Sequence, residues 1–163
     1  MVTIEDTYIP IQIGISNDWK AIATGAYHTI GIKNDGTLWA WGYNNYGQLG
    51  DEAIDITYIP IQIGISNGWK AIATGNYHSI GIKNDGTLWA WGYNNYGQLG
   101  DGTYINKKSP IQIGTDNDWK DITTDAYHTL GIKNDRTLWA WGDNLYGELG
   151  DGTAWKDIPV KIE

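Results

Sequence analysis

The stretch GIKNDGTLWAWGYNNYGQLGD, at residues 31–51, decides the fold because the chain contains it more than once. It recurs letter for letter at residues 81–101, and an edited version, GIKNDRTLWAWGDNLYGELGD, occupies residues 131–151. The offset between copies is 50 residues and needs no gap. A fixed period of this size predicts a repeat architecture in which each copy is one supersecondary unit.

The repeat extends beyond this stretch on both sides. Residues 8–50 and 58–100 differ only at the pairs Asp18/Gly68, Ala26/Asn76 and Thr29/Ser79. Packing alone would tolerate many more apolar exchanges, so the near-identity indicates recent copying of one unit. We interpret residues 1–163 as a single repeat domain. Its parts are repeat 1 (8–57), repeat 2 (58–107), repeat 3 (108–157) and the start of a further repeat (158–163).

Four short runs in each repeat have the pattern of β-strands. In repeat 1 they are IPIQI (9–13), KAIATG (20–25), HTIGIK (28–33) and TLWAWG (37–42). The last two are joined by an NDG turn, in which Gly36 can take a positive φ. No run has the 3.6-residue spacing of an amphipathic helix. Four strands in each repeat of this length predict one blade of a β-propeller per repeat.

Side-chain alternation predicts where each strand lies in its blade. The two tryptophans of TLWAWG point one way and its leucine and alanine the other, so both faces are apolar and a neighbouring blade should cover each. The small residues of KAIATG suit the innermost strand, whereas the proline and glutamine of IPIQI indicate an outer edge strand. We predict an all-β fold of three four-stranded blades that form an open arc, because closed propellers have about four to eight blades.

An open arc should leave apolar surface uncovered at both ends. We expect its first and last blades each to expose a face of the kind formed by Trp39 and Trp41, and such patches mark sites of association. Two arcs joined head to tail would self-associate into a six-bladed ring, with one outer strand per chain displaced, either 9–13 or 158–162. The sequence leaves that ring open as an alternative and slightly favours the open arc.

The spaced landmarks of the repeat resemble those of the regulator-of-chromosome-condensation (RCC1) repeat family. They comprise the pair Gly25 and His28, the Asp35–Gly36 turn, and a Trp-Gly-x-Asn-x-x-Gly-Gln-Leu-Gly motif that begins at Trp41. Repeat 2 keeps all of these landmarks. Repeat 3 departs from them at Asp125, Arg136 and Glu148.

The resemblance implies a propeller that serves as a binding scaffold, and full-length members resemble seven-bladed propellers. The best-known member is an exchange factor for a small GTPase that docks on nucleosomes. Neither activity is implied here, because the chain has no basic tail and no insertion between strands that could act on a GTPase. We expect a non-enzymatic scaffold for an unidentified protein partner. A carbohydrate-binding propeller is the alternative, since the repeated Tyr, Trp and Asn also suit a glycan.

Composition narrows the function further. A formal net charge of −8 argues against a nucleic-acid partner, because that affinity rests on Lys and Arg neutralising phosphates. No stretch approaches the roughly 20 apolar residues of a membrane span. The chain has no cysteine, no arranged carboxylate pair or nucleophile–base set, and no phosphate-binding glycine loop, so we predict neither catalysis nor a cofactor.

His28, His78 and His128 raise the question of a zinc site, because zinc accepts three histidine ligands. They occupy equivalent places on separate blades, which keeps them apart. We therefore predict no metal and a structural role in which each ring hydrogen-bonds to neighbouring backbone. The tryptophans at the equivalent core position are predicted to be structural landmarks as well: Trp41, Trp91 and Trp141.

The loop GYNNYGQLG, at 42–50 and again at 92–100, is the best candidate for a partner-binding surface, since Tyr and Asn are common recognition residues. The candidate residues are Tyr43, Asn45, Tyr93, Asn95, Asp143 and Leu145. A competing interpretation is that the second tyrosine of each loop packs between blades and that only Tyr43 and Tyr93 are free. Those second tyrosines are Tyr46, Tyr96 and Tyr146.

Overall fold

The structure is a computed structural model that describes residues 8–163, and all the regular secondary structure in that range is β-strand. The inner three strands of each unit are five to seven residues long, as expected for short strands bounded by glycine-containing turns. The twelve strands are β1 (Trp19–Thr24), β2 (His28–Lys33), β3 (Leu38–Tyr43), β4 (Ile56–Gln62), β5 (Trp69–Thr74), β6 (His78–Lys83), β7 (Leu88–Gly92), β8 (Lys107–Ile113), β9 (Trp119–Asp125), β10 (His128–Lys133), β11 (Leu138–Gly142) and β12 (Lys156–Ile162).

These strands form three separate four-stranded antiparallel sheets, in the orders β1-β2-β3-β4, β5-β6-β7-β8 and β9-β10-β11-β12. The predicted turn between the second and third strands is present, with Gly36 at a φ of 81°. Asp35 stabilises that turn by accepting a hydrogen bond from the backbone N–H of Thr37 at 3.0 Å. The prediction of an all-β fold with three four-stranded blades is confirmed.

Each sheet takes its outer strand from the repeat that follows. β4 pairs with β3, for example at Ala40 and Ile61, so the blades comprise residues 19–62, 69–113 and 119–162. The predicted strand at 9–13 is wrong, because those residues are exposed and lie in no strand. The IPIQI copy at 59–63 pairs with the TLWAWG strand before it, whereas 9–13 has no such strand beside it among the described residues 8–163. Of the two segments that were predicted as alternatives for displacement, 9–13 is therefore the unpaired one, and 158–162 is paired as part of β12.

The sheets stack face to face around their inner strands. β5 lies against β1 and β2, and β9 lies against β5 and β6. The three KAIATG-type strands are thus neighbours on one side of the stack, as their small side chains predicted, and the edge strands β4, β8 and β12 lie farthest from that side.

Two apolar cores lie between the three sheets. In the first, the aliphatic face of one sheet, including Ile30, Ile32 and Leu38, packs on Trp69 and Trp91 of the next. The second core repeats this arrangement one blade later. We call the aliphatic face of each sheet its trailing face and the tryptophan face its leading face. Each buried aliphatic side chain contributes about 1.5–3 kcal/mol.

The two open ends of the stack therefore differ. The first sheet exposes its leading face, on which Trp41 is half-buried, whereas the third sheet exposes its trailing face. On that face Ile132 and Leu138 are each 39% exposed, while their equivalents in the first two sheets are fully buried. The prediction that both ends expose a tryptophan face is wrong for the third blade, since all blades point the same way around the stack.

Candidate binding surface

Tyrosine side chains from all three blades meet at one end of the stack. The loop between the first two strands and the loop after the third strand of each sheet lie at this end, because adjacent strands are antiparallel. Neighbouring rings in the set have centroids 4.9–6.4 Å apart. We call this set the tyrosine row, and it consists of Tyr27, Tyr43, Tyr46, Tyr77, Tyr93, Tyr96 and Tyr127.

The row crosses both blade boundaries. Tyr46 of the first blade packs against Tyr77 at 5.2 Å and Tyr93 at 5.0 Å, both in the second blade. Tyr96 repeats this contact with Tyr127 of the third blade at 4.9 Å. Two of the second loop tyrosines thus lie between blades, as the competing interpretation holds. The third, Tyr146, is 87% exposed, because no sheet of the described residues lies against its side of the third blade.

The loops that carry the row are braced from within. The side-chain amide of Asn44 donates to the carbonyl of Asp51, and its Oδ1 accepts from the backbone N–H of Leu49. Gln48 Oε1 accepts from the backbone N–H of Tyr46 at 3.0 Å. The second repeat has the equivalent bonds to Asn94 Oδ1 and Gln98 Oε1. Such internal bonding presents the tyrosines on a fixed backbone.

All six residues singled out from the sequence lie at this end of the stack. Tyr43 and Tyr93 are half-buried within the row rather than free, since each packs against other tyrosine rings. The two asparagines and Leu145 are exposed, and Asp143 is half-buried. Asp143 stands where the other repeats have tyrosine, so the row ends at Tyr127. The first-loop tyrosines were missed, although a tyrosine precedes the histidine in every repeat.

Two tyrosines in the middle of the row, Tyr77 and Tyr93, are neutral hydrogen-bond donors and acceptors at physiological pH. Desolvation by burial, together with the neighbouring phenols, raises the pKa of Tyr77 and of Tyr93 above the ordinary tyrosine value. The surface they form is therefore uncharged, amphipathic and aromatic.

His28 and His78 join each sheet to the next. His28 Nε2 lies 2.9 Å from Ser79 Oγ, and that hydroxyl donates to the carbonyl of Gln48 at 2.8 Å. Because Ser79 has one hydrogen to donate, His28 must donate its own Nε2–H. His78 has the corresponding contact with Thr129 Oγ1 at 3.4 Å. The partner is thus a hydroxyl of the neighbouring blade, where the sequence had predicted backbone.

Burial determines the protonation of these two rings. It lowers the pKa of His28 to about 4 and, with a further contribution from the other histidines, that of His78 to about 3. Both are neutral at pH 7 and serve as inter-blade braces. Within residues 8–163 no group of three or more His, Asp or Glu side chains could hold a metal ion.

A second recurring contact lies at the opposite end of the blades and was not predicted. The ammonium of Lys33 lies 4.4 Å from the ring centroid of Trp39, and the second and third blades repeat this contact at 3.8 and 4.5 Å. The indole N–H of Trp39 donates to Thr37 Oγ1 at 2.9 Å. The invariant spacing of Lys, Thr and Trp in the three repeats is the signal that could have revealed it.

The arrangement of blades agrees with models of known families. Two models, both of the regulator of chromosome condensation (RCC1) repeat, match the chain, one at 19–48, 69–98 and 120–148 and the other at 35–82 and 85–132. The chain belongs to the RCC1 repeat family. The first model begins at the first strand of each blade, so the family unit and the observed sheets share their inner three strands.

Several solved structures resemble the chain in fold. Human WBSCR16 has a TM-score of 0.80 at 22% identity over 89% of this chain. Yeast RCC1 (Prp20) bound to Kap60 gives 0.81 at 21% identity over 90%, and Prp20p from Saccharomyces cerevisiae gives 0.80 at 21% identity over 90%. The chain spans 39%, 37% and 38% of those chains, respectively. Its three sheets therefore match part of an RCC1 β-propeller.

Within residues 8–163 no helix has the length and apolarity needed to cross a bilayer.

Proposed function

We propose that this RCC1 propeller segment is a non-enzymatic scaffold that binds a protein partner through the tyrosine row and the asparagines beside it. The observation that carries the proposal is the continuity of seven tyrosines across three blades, with Tyr27 still 61% and Tyr96 41% exposed. Tyrosine supplies large contact area with few rotatable bonds, which is why it is enriched where proteins bind one another. The braced loops beneath the row reduce the entropy lost on binding.

The electrostatics of the chain are consistent with a scaffold. The side chains in residues 8–163 with the most strongly lowered pKa are His28 and His78, and both are buried between sheets and bonded to a neighbouring blade. Perturbed groups that serve catalysis lie in clefts that a substrate can reach. These two histidines are inaccessible, which supports a structural role and a non-catalytic protein.

A structural neighbour of this chain also binds proteins. Yeast RCC1 (Prp20) was solved bound to Kap60, and its structure was described together with binding to Gsp1p and histones. At 21% identity that likeness supports the partner class for this chain, a protein, and none of those partners in particular.

A quantitative affinity capture tests the proposal. The 163-residue chain is immobilised beside a Tyr27→Ala/Tyr96→Ala variant, which changes exposed members of the row. A matched control, Asn34→Ala/Asn84→Ala, changes exposed residues at the opposite end of the same blades. The proposal expects a set of proteins that the wild type and the control retain and that the tyrosine variant loses at least tenfold.

Two outcomes would overturn the proposal. In the first, the tyrosine variant and the control retain the same proteins as the wild type. In the second, a parallel glycan array shows sugar binding at several equivalent sites while no protein depends on the row. The ring geometry favours this second outcome less, because Tyr27 and Tyr77 stack on one another at 5.5 Å and each covers one ring face of the other.

A further inference from the structure

The open trailing face of the third blade contains a cleft of about 1000 Å³. Tyr96, Tyr127, Tyr146 and Trp155 are among the residues that line it. The indole N–H of Trp155 donates to the hydroxyl of Tyr104 at 3.0 Å, which joins two lining residues that lie one repeat apart. In the first two blades the corresponding face is covered by the following sheet.

Three carboxylates also line the cleft, and all three are peculiar to repeat 3. Asp125, Asp143 and Glu148 stand where the other repeats have glycine, tyrosine and glutamine. No lysine or arginine lines the cleft as the structure describes it. The edits that distinguish repeat 3 have therefore converted a blade-packing face into an acidic one.

Each carboxylate is oriented by the backbone and keeps one oxygen available. Asp125 accepts from the N–H of Ala126 at 2.8 Å, and Asp143 accepts from the N–H of Leu145 at 3.2 Å. Glu148 accepts from the N–H of Tyr146 at 2.9 Å. Hydrogen bonds from its own backbone N–H and from that of Tyr146 hold the pKa of Glu148 below its usual range, so its charge persists at neutral pH.

Arg136 and Asp125 prevent a further blade from covering this face in the usual way. A Cβ on Gly36 or Gly86 would lie 2.0 Å from a backbone carbonyl oxygen of the next sheet. Arg136 carries that Cβ in the same turn, with a φ of 70° and the same 2.9 Å bond to the carbonyl of Lys133. A Cβ on Gly25 would likewise lie 2.4 Å from a carbonyl oxygen, and Asp125 stands at that position. A second copy stacked like the other blades would clash.

We propose that the cleft binds an arginine side chain from an exposed segment of a partner protein. Its guanidinium would lie against the rings of Tyr127, Tyr146 and Trp155 and be neutralised by the three carboxylates. Arginine fits better than lysine, because a planar guanidinium both stacks on aromatic rings and bonds carboxylates in a bidentate manner. The inference rests on the proposed function in one respect, which is that the occupant belongs to a protein.

Calorimetric titration with a defined peptide tests the inference. The probe is acetyl-Gly-Arg-Gly-Arg-Gly-amide, and its neutral isostere carries citrulline in place of both arginines. We expect the wild-type chain to bind the arginine peptide at least tenfold more tightly than the isostere. Asp143→Asn/Glu148→Gln should weaken arginine-peptide binding at least tenfold. Asp121→Asn/Glu52→Gln, which removes two exposed carboxylates outside the lining, should change it less than twofold.

Trp155→Ala provides a second arm that keeps every charge, and it should also weaken binding several-fold. Circular dichroism melting of each variant shows that it is folded before titration. Equal binding of the two peptides, no measurable binding of either, or equal loss in the control variant overturns the inference.

Tyr96 belongs to the row but also lines the cleft, so the capture experiment is scored again with Tyr27→Ala alone, which lies outside the cleft and makes it independent of this titration. If peptide binding depends on the cleft and capture ignores the row, the proposed function fails while the cleft assignment holds. If capture depends on the row and the two peptides bind equally, the proposed function holds and the cleft assignment fails.

Discussion

The same residues behave differently on the covered and the open faces of the blades. Trp91 is fully buried and donates its indole N–H to the carbonyl of Gln48 in the preceding blade at 2.9 Å. Trp41 is its exact sequence counterpart but lies on the open leading face and is half-buried. His78 is likewise buried against Thr129, whereas His128 faces the open cleft. A repeat residue thus takes its energetic role from the neighbouring blade more than from its own repeat.

The largest expected effect is the loss of a covered tryptophan. Trp91→Ala should lower the free energy of unfolding by about 3–5 kcal/mol, because it empties a fully buried indole site and leaves a carbonyl without its donor. Trp41→Ala should cost about half as much or less, since its outer side faces water. Urea unfolding at pH 7 measures both, and equal losses would show that the neighbouring blade does not set the burial energy.

The next effect is a loss of stability on acidification between pH 6.5 and pH 5. Folding lowers the pKa of His28 to about 4 and of His78 to about 3, from an unfolded value of 6.5. The unfolded chain therefore binds more protons in this range, and stability falls as the pH falls. Each histidine should lower the free energy of unfolding by about 2 kcal/mol at pH 5 relative to pH 7.

Chemical denaturation at a series of pH values measures how the free energy of unfolding depends on pH. The wild type is compared with His78→Gln, which should lose about half of the dependence, and with His28→Gln/His78→Gln, which should lose most of it. The carboxylates with lowered pKa act mainly below this window, since their unfolded value is 3.8. A slope unchanged in the double variant would contradict the inter-blade role of the histidines.

The smallest expected effect concerns the turn position of Gly86 and Arg136, which lies on a covered face in the second blade and on the open face in the third. Arg136 is the one non-glycine residue with positive φ in residues 8–163, so Arg136→Gly should stabilise the chain by about 0.5–1 kcal/mol. Gly86→Ala should destabilise the chain. Its Cβ would lie 2.0 Å from the carbonyl oxygen of Asn117, and the positive φ at this position is unfavourable for alanine. Thermal melting of both variants shows whether the melting temperature rises for Arg136→Gly and falls for Gly86→Ala. A flat or lowered melting temperature for Arg136→Gly would mean that the third turn tolerates arginine without strain.

Local patterns predicted most of each blade. Alternation in TLWAWG predicted two covered faces, and the glycine of the NDG turn predicted a positive φ, because both depend on neighbours within a few residues. IPIQI shows the limit of such patterns. The same five residues lie outside any strand at 9–13, but at 59–63 they form the second half of β4 and the residue after it. The difference depends on pairing with β3, which lies outside the segment.

The candidate surface was predicted only in part for the same reason. The loop tyrosines Tyr43 and Tyr93 were recognised from their composition, but their packing on Tyr27, Tyr77 and Tyr127 depends on how blades stack. The cleft was not predicted, because its walls come from two repeats and it opens on a face that no described sheet covers. The three edits that shape it were visible in the sequence, yet the surface they share required the fold.

The central claim is that the edits of repeat 3 decide whether its trailing face accepts another blade. Multi-angle light scattering of the purified 163-residue chain, over a hundredfold range of concentration, tests this most directly. The account predicts a monomer of 18.1 kDa, because Arg136 and Asp125 block the head-to-tail contact that would close a six-bladed ring. A sharp dimer of twice that mass, independent of concentration, would contradict it.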